Sequence, residues 1–233
     1  MKRQIRQGVF ETNSSSQHSI TILKNDEYYT QDEINESFYL YNNPETGKYE
    51  WDLYKDEIVF GRHPFRTLSS FKDKWCYTYA ALVNEYNNEM HKELVSILRK
   101  HLSKLDVVNF PTDRNTIPIK GHELARDTDF WRAYEKTEEE FLKIIDEKEK
   151  KFEYKINYYE NSRGEFEYEE PFTGYCEDYG MLKRFLEEKK ISIEEFLTNK
   201  KYIIIQDGDE YGYWTDIKES GLINMDVIEY EYE

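Results

Sequence analysis

Between residues 70 and 105 the apolar side chains recur every three or four positions. Phe71, Trp75, Tyr79, Leu82 and Tyr86 form one series, and Leu94, Ile97, Leu98, Leu102 and Leu105 form a second. That spacing puts one apolar stripe on an α-helix, and the polar patch at 84–89 divides the stretch into two helices. Elsewhere the pattern has a period of two over short runs, the mark of strands. Strands and helices follow one another without regular βα alternation, which points to an α+β fold. The expectation is a mixed or antiparallel sheet that contains the N-terminal strands and is packed by several helices.

The strand readings begin at residues 2–10, with Ile5, Val9 and Phe10 inward. A polar turn follows. At 18–23, Ile20 and Ile22 alternate with Ser19 and Thr21 as in a half-buried strand. Thr30 with Glu33 three residues later is a capping-box pattern opening a helix over 30–38. Residues 42–47 form a turn, and Tyr49, Trp51 and Leu53 alternate as a strand. Ile58, Val59 and Phe60 make another short strand, and 107–110 a further one. A charged helix is expected over 130–152, with Phe141, Ile144 and Ile145 as its apolar stripe. Residues 152–159 and 165–169 alternate on either side of Asn161-Ser162-Arg163-Gly164, the best hairpin in the chain. Helices over 179–188 and 193–197, the second capped by Ser192, precede an apolar strand at 202–206. Residues 213–214 and 227–232 read as final strands. With no linker or repeat, one α+β domain over 1–233 is expected, and any subdivision near 110–128, where Pro111, Pro118 and Gly121 interrupt the pattern.

Hydrophobic residues are only 38% of the chain, but 21 tyrosines and 13 phenylalanines supply a core built from rings. Each ring buries roughly 150–250 Å². Against 32 basic residues stand 48 acidic ones, a formal net charge of −16. Such a field repels phosphate backbones and anionic lipid. Direct nucleic-acid binding is therefore not expected, and a basic partner is. Cys76 and Cys176 are too far apart in sequence for a Cys-x-x-Cys site and read as free thiols. There is no apolar signal region and no run of about 18 apolar residues, so the expectation is a protein of the bacterial host cytoplasm without membrane attachment.

Chemistry is most concentrated at residues 11–19. Glu11, Thr12, Asn13, Ser14, Ser15, Ser16 and His18 fall within eight positions. Hydroxyls and backbone amides of such a turn can hold an anion. His18 is the candidate general base toward Ser15, with Glu11 orienting its ring. Thr12, Asn13, Ser14, Ser15, Ser16 and His18 are the candidate ligand-binding set; side chains satisfying a turn between strands is the competing reading. No cofactor is implied. His18, His63, His91, His101 and His122 lack any metal-ligand spacing, so no metal site is expected. An ADP-ribosyl transferase order, Arg6, Ser69-Ser70 and Glu229-Tyr230-Glu231, is present but cheap in so acidic a chain.

The second concentration is acidic. Glu165, Glu167, Glu169, Glu170, Glu177 and Asp178 surround tyrosines, and Glu229 and Glu231 do the same near the C-terminus. Glutamates two apart on a strand project from one face, a rough imitation of successive phosphates, and the rings between them offer contact area. These eight are the candidate partner-binding residues. Arg62, Arg66, Lys72 and Lys74 form a small basic counter-patch.

The opening R-x-GVFETNSSSxHS resembles that of an uncharacterised family of phage and Firmicutes proteins. The similarity continues in patches: Phe60-Gly61-Arg62, Asp73-Lys74-Trp75-Cys76-Tyr77-Thr78-Tyr79, Phe185-Leu186-Glu187-Glu188 and Asp207-Gly208-Asp209-Glu210. Relatives carry Asp-His-x-Ser where this chain has Cys176-Glu177-Asp178-Tyr179, so a two-histidine site is not shared. The resemblance implies a phage-type origin. The expected function is an acidic accessory protein that binds and modulates a basic host or defence protein, as a nucleic-acid mimic. The alternative is an enzyme or a small-ligand or nucleotide binder using the Thr-Asn-Ser-Ser-Ser-x-His turn.

Overall fold

The computed structural model describes residues 17–24, 26–61, 66–83, 87–120, 134–178, 180–207 and 230–231. In chain order the elements are β1 (Gln17–Ile22), α1 (Gln31–Glu36), β2 (Tyr41–Asn42), β3 (Tyr49–Asp52), a 3-10 turn (Lys55–Ile58), β4 (Val59–Phe60) and β5 (Arg66–Leu68). Helices α2 (Phe71–Leu82) and α3 (Asn88–His101) follow, then β6 (Val107–Asn109), β7 (Thr112–Pro118) and α4 (Glu138–Phe152). The remainder is β8 (Tyr158–Glu160), β9 (Glu165–Pro171), β10 (Tyr175–Cys176), α5 (Met181–Lys189), α6 (Ile193–Thr198), β11 (Tyr202–Asp207) and β12 (Tyr230–Glu231). The fold is α+β with both antiparallel and parallel pairings. The chain divides into two compact units, one of Met1–Tyr39, Ile58–Leu82 and Tyr175–Glu233, the other of Leu40–Glu57 and Val83–Gly174. Among the described residues no helix is long and apolar enough to cross a membrane.

The first unit holds an antiparallel sheet in the order β12-β1-β11-β5 and a parallel pair β10-β4. Its centre is α2, which packs against β4, β10, α5 and α6. Ser70 opens this helix by accepting the Asp73 amide at 3.0 Å. Phe71, Trp75, Tyr77, Tyr79 and Ala80 are buried, and so are Lys74, Cys76 and Thr78. A helix covered on every side lies inside a core, so the single stripe read from the sequence understates its burial. Lys74 consequently does not belong to a basic surface patch. β1 also differs from expectation. Ser19 and Thr21 are as buried as Ile20, so both faces of β1 are covered. Their hydroxyls find no hydrogen-bond partner among the described residues.

The second unit contains two three-stranded sheets, β2-β3-β6 and β7-β9-β8. In β3 the expected alternation fails at Glu50, which is only 6% exposed. Its carboxylate accepts Asn43 Nδ2 at 2.8 Å, Asn109 Nδ2 at 2.9 Å, and the hydroxyls of Tyr41 and Thr46 at 3.1 Å each. Four donors hold the group ionised: the Asn109 amide, first, keeps its carboxyl below the usual range against the opposing effect of burial. A strand position occupied by glutamate is thus inside, by virtue of its partners.

The second sheet packs its inner face on α4. Ile119, Phe141, Ile145, Ile156 and Tyr168 form the cluster, with Phe166 and Phe152 against it. Phe141 stacks on Phe166 at 4.5 Å between centroids. The helix begins at Glu138, later than expected, because Thr137 caps it: the Thr137 hydroxyl accepts the Glu140 amide and Glu140 accepts the Thr137 amide. Strand β8 is likewise shorter than the alternation of residues 152–159 implied, since Phe152 ends α4 and Glu153 turns the chain in the left-handed region at φ 50°. The hairpin turn is as expected. Asn161 Oδ1 accepts the amides of Arg163 and Glu165, and Gly164 takes φ 70°, a conformation glycine adopts without steric cost.

This packing separates two neighbours in sequence. Phe141→Ala is expected to cost the second unit about 3–5 kcal/mol. Leu142→Ala, at a position that faces water, is expected to stay within about 0.5 kcal/mol of wild type. Urea denaturation followed by circular dichroism measures both; equal losses would contradict the placement of this helix.

Candidate functional site

His18, the one candidate catalytic residue among those described, is not in a turn. It lies on β1, is 1% exposed, and is paired in register with Gln206 of β11. Paired residues of an antiparallel ladder project to the same side. Here that side carries His18, Ile20, Ile204 and Gln206, with Tyr77 of α2 reaching His18. The Tyr77 hydroxyl lies 3.1 Å from His18 Nδ1, and the two rings meet edge to face at 5.5 Å. Cys176 of β10 places its Sγ 4.0 Å from the same nitrogen. Gln206 donates Nε2 to the Gly61 carbonyl at 2.6 Å. Gly61 has no side chain, which lets the Tyr175 ring approach: a Cβ there would lie 3.0 Å from Tyr175 Cε1. A histidine, a phenol and a thiol from three elements of one unit thus share a buried polar knot.

Its electrostatics do not make a nucleophile. Burial pushes the Cys176 thiol well above its ordinary range, and the nearby Asp178 carboxylate pushes it further. Burial does the same to the Tyr77 phenol. Both groups keep their protons, whereas thiol chemistry requires a thiolate. What the arrangement does is hydrogen-bond β1 to α2 and β10. Tyr77, Cys176 and Gln206 were not among the candidate site residues read from the sequence, where Cys176 was read as a free thiol. The usable signal was His18 itself, since a buried imidazole inside a strand must find polar partners. The remaining members of the N-terminal set, Glu11, Thr12, Asn13, Ser14, Ser15 and Ser16, lie outside the described residues. Among the described residues no group of three or more His, Cys, Asp or Glu is placed to hold a metal.

The acidic candidates divide between the units. Strand alternation puts Glu165, Glu167 and Glu169 on the face of β9 opposite to Phe166 and Tyr168, which face the core. Tyr159 of β8, paired with Glu167, lies on that outer face and is 55% exposed. Asn161 Nδ2 donates to Glu165 at 2.9 Å and to Glu167 at 2.8 Å, and the Tyr159 hydroxyl donates to Glu167. The Asn161 and then the Tyr159 hydrogen bond hold the Glu167 carboxyl below the usual range. Arg114, opposite Glu169 in β7, pairs with it at 3.3 Å. Glu170 is placed otherwise: it pairs with Lys148 of α4 and accepts Asn115 Nδ2, so it turns toward the helix and is neutralised.

In the other unit, Glu177 is half-buried and accepts the Tyr175 hydroxyl. Asp178 is not a surface residue. It is 3% exposed and caps the start of α5 by accepting the amides of Gly180 and Leu182, both at 3.1 Å. The carboxylate is held by these two amides from a position two residues before the N-cap Gly180. Glu231 lies in β12, and Glu229 is outside the described residues. No family model, curated protein or solved structure matches the chain.

The knot makes a direct prediction. At about pH 8, where an ordinary thiol is partly ionised, Cys76 and Cys176 are expected to react with an aromatic disulfide reagent at least about a hundredfold more slowly in the native protein than in denaturant. Labelling of Cys176 at the same rate in both states would contradict the burial described.

Proposed function

We propose that this chain is an acidic, phage-type accessory protein that binds a basic host or defence protein, with the outer face of the β7-β9-β8 sheet as its contact surface. The observation that carries this reading is how the three glutamates of β9 are held. Successive outward residues on a strand stand about 6.8 Å apart, so Glu165, Glu167 and Glu169 make a short, evenly spaced row. The donors to Glu165 and Glu167 are an amide and a phenol. They fix the carboxylates in place and leave the charge intact, whereas lysines would have cancelled it. Arg114 pairs with Glu169, and the charges of Arg114 and Arg163 act more weakly on Glu167. A fixed row of anions next to an exposed tyrosine is the complement of a groove lined by lysine and arginine, the lining that a nucleic-acid channel presents. The formal charge of −16 adds a long-range attraction that speeds encounter with such a partner.

The test uses a defined cationic probe, an oligo-lysine peptide, titrated by calorimetry at low and at moderate salt. The triple change Glu165→Gln, Glu167→Gln, Glu169→Gln is expected to weaken binding about tenfold and to flatten its salt dependence. A control triple change on α4, Glu138→Gln, Glu139→Gln, Glu147→Gln, removes the same net charge from another surface and is expected to have a much smaller effect. Equal effects of the two triple changes would show that net charge alone attracts the probe and would sink the assignment of this face.

A further inference from the structure

Lys74, on α2, is 0% exposed and is the only lysine or arginine fully buried among the described residues. Its Nζ donates to the carbonyls of Phe196 at 2.9 Å and Asn199 at 2.8 Å, at the end of α6. The Tyr29 ring lies 4.9 Å and the Phe196 ring 5.6 Å from the nitrogen. Among the described residues it makes no ion pair. The stoichiometry is informative. A neutral amine has two N–H groups and here meets two carbonyls. An ammonium has three, and the third faces aromatic carbon.

The same junction docks the segment before α1. Tyr29 N donates to the Thr198 carbonyl and Lys200 N to the Glu27 carbonyl. The Tyr29 hydroxyl donates to the Ser69 carbonyl, Tyr28 to Glu195, and Asn199 to Asp26. We propose that Lys74 is a proton-operated latch: losing its proton tightens the junction of α2, α6 and segment 26–30, and gaining it loosens that junction.

Desolvation is the dominant influence and lowers the Lys74 amine to about 7, with the Glu195 carboxylate opposing. The helix-end carbonyls and the two rings favour the cation and limit the fall. An opened lysine titrates at about 10.4. Between these values the opened form carries one proton more than the closed form, so raising the pH favours the closed form, by up to about tenfold per pH unit. Below the lower value both forms are protonated and the dependence ends.

The other charged and titratable groups around the junction are Asp26, Tyr28 and Tyr29 from the segment, Glu33 from α1, Asp73 from α2, Glu195 from α6, and Lys200, Lys201 and Tyr202 beyond it. Burial raises Tyr29 and Tyr202, and the bond to Glu195 raises Tyr28. The Asn199 bond lowers Asp26, and the Lys200 bond takes Glu33 down to about 2. These shifts move the five away from the interval between about pH 7 and pH 9.

Amide hydrogen exchange tests the latch. Protection of the α6 amides, corrected for intrinsic exchange, is expected to rise between about pH 7 and pH 9 by several-fold per unit in the wild type. In Lys74→Met it is expected to be flat. Protection that does not change with pH in the wild type, or changes equally in both proteins, overturns the proposal. Should Lys74→Met fail to fold, nitrogen-detected titration of the wild-type lysines decides the matter. An Nζ resonance for Lys74 that titrates near 7 upholds the latch, and one that titrates near 10 overturns it.

Discussion

A helix buried on every side leaves its polar groups only the protein interior in which to find partners, and on α2 the Thr78 hydroxyl finds none among the described residues. Helix α2 carries Lys74 and Tyr77 into its core, and both reach across to other elements: Lys74 to the end of α6, Tyr77 to His18 on β1. These contacts set where α6 and β1 lie against the helix, and through β1 the placement of the whole β12-β1-β11-β5 sheet. Apolar contact supplies the bulk of the attraction around α2, from Phe71, Trp75 and Tyr79, but apolar contact is tolerant of small displacements. The hydrogen bonds are not, and they give this unit its registration.

Carboxylates serve three different ends in this protein. Glu50 and Asp178 are buried and internally satisfied, one inside a sheet and one at a helix start. Glu170 is paired with a lysine across the sheet–helix contact. The row on the outer face of β9 is ordered at the surface, Glu165 and Glu167 by an amide and a phenol and Glu169 by Arg114. Net charge is therefore a poor guide to where recognition occurs; the chemistry of each carboxylate's nearest donor is a better one. An amide or a phenol next to a glutamate preserves an anionic feature, and a lysine erases it.

Much of the secondary structure was legible because its causes are local. Capping at Thr30, the break between α2 and α3, and the Asn161–Gly164 turn are written in a few adjacent residues. What was not legible depends on which groups a residue meets once the chain is folded. Period-two alternation cannot say that Ser19 and Thr21 are covered, because it assigns one face of a strand to water and here both faces are buried. It cannot show Glu50 buried, because its donors Asn43 and Asn109 belong to other segments. Lys74 looks like part of a basic patch beside Arg66 and Lys72 until α6 is folded against it. For the candidate sites, the outward row Glu165, Glu167, Glu169 followed from strand geometry alone, whereas the roles of Glu170 and Asp178 depended on Lys148 and on the amides of α5. The interleaving of segments into two units likewise leaves no trace in composition.

The pairing of β1 bears on how the chain is made. Its ladder partners are Tyr202–Asp207 and Tyr230–Glu231, so β1 leaves the ribosome long before the strands it is hydrogen-bonded to. Long-range pairing of this kind slows folding, and an unpaired strand is exposed to aggregation meanwhile. The residues that precede β1 are serine, threonine and asparagine in unusual density. The hydrophilic stretch ahead of β1, and the alternation of Ser19 and Thr21 with isoleucine inside it, reduce the apolar surface that the unpaired strand exposes during translation.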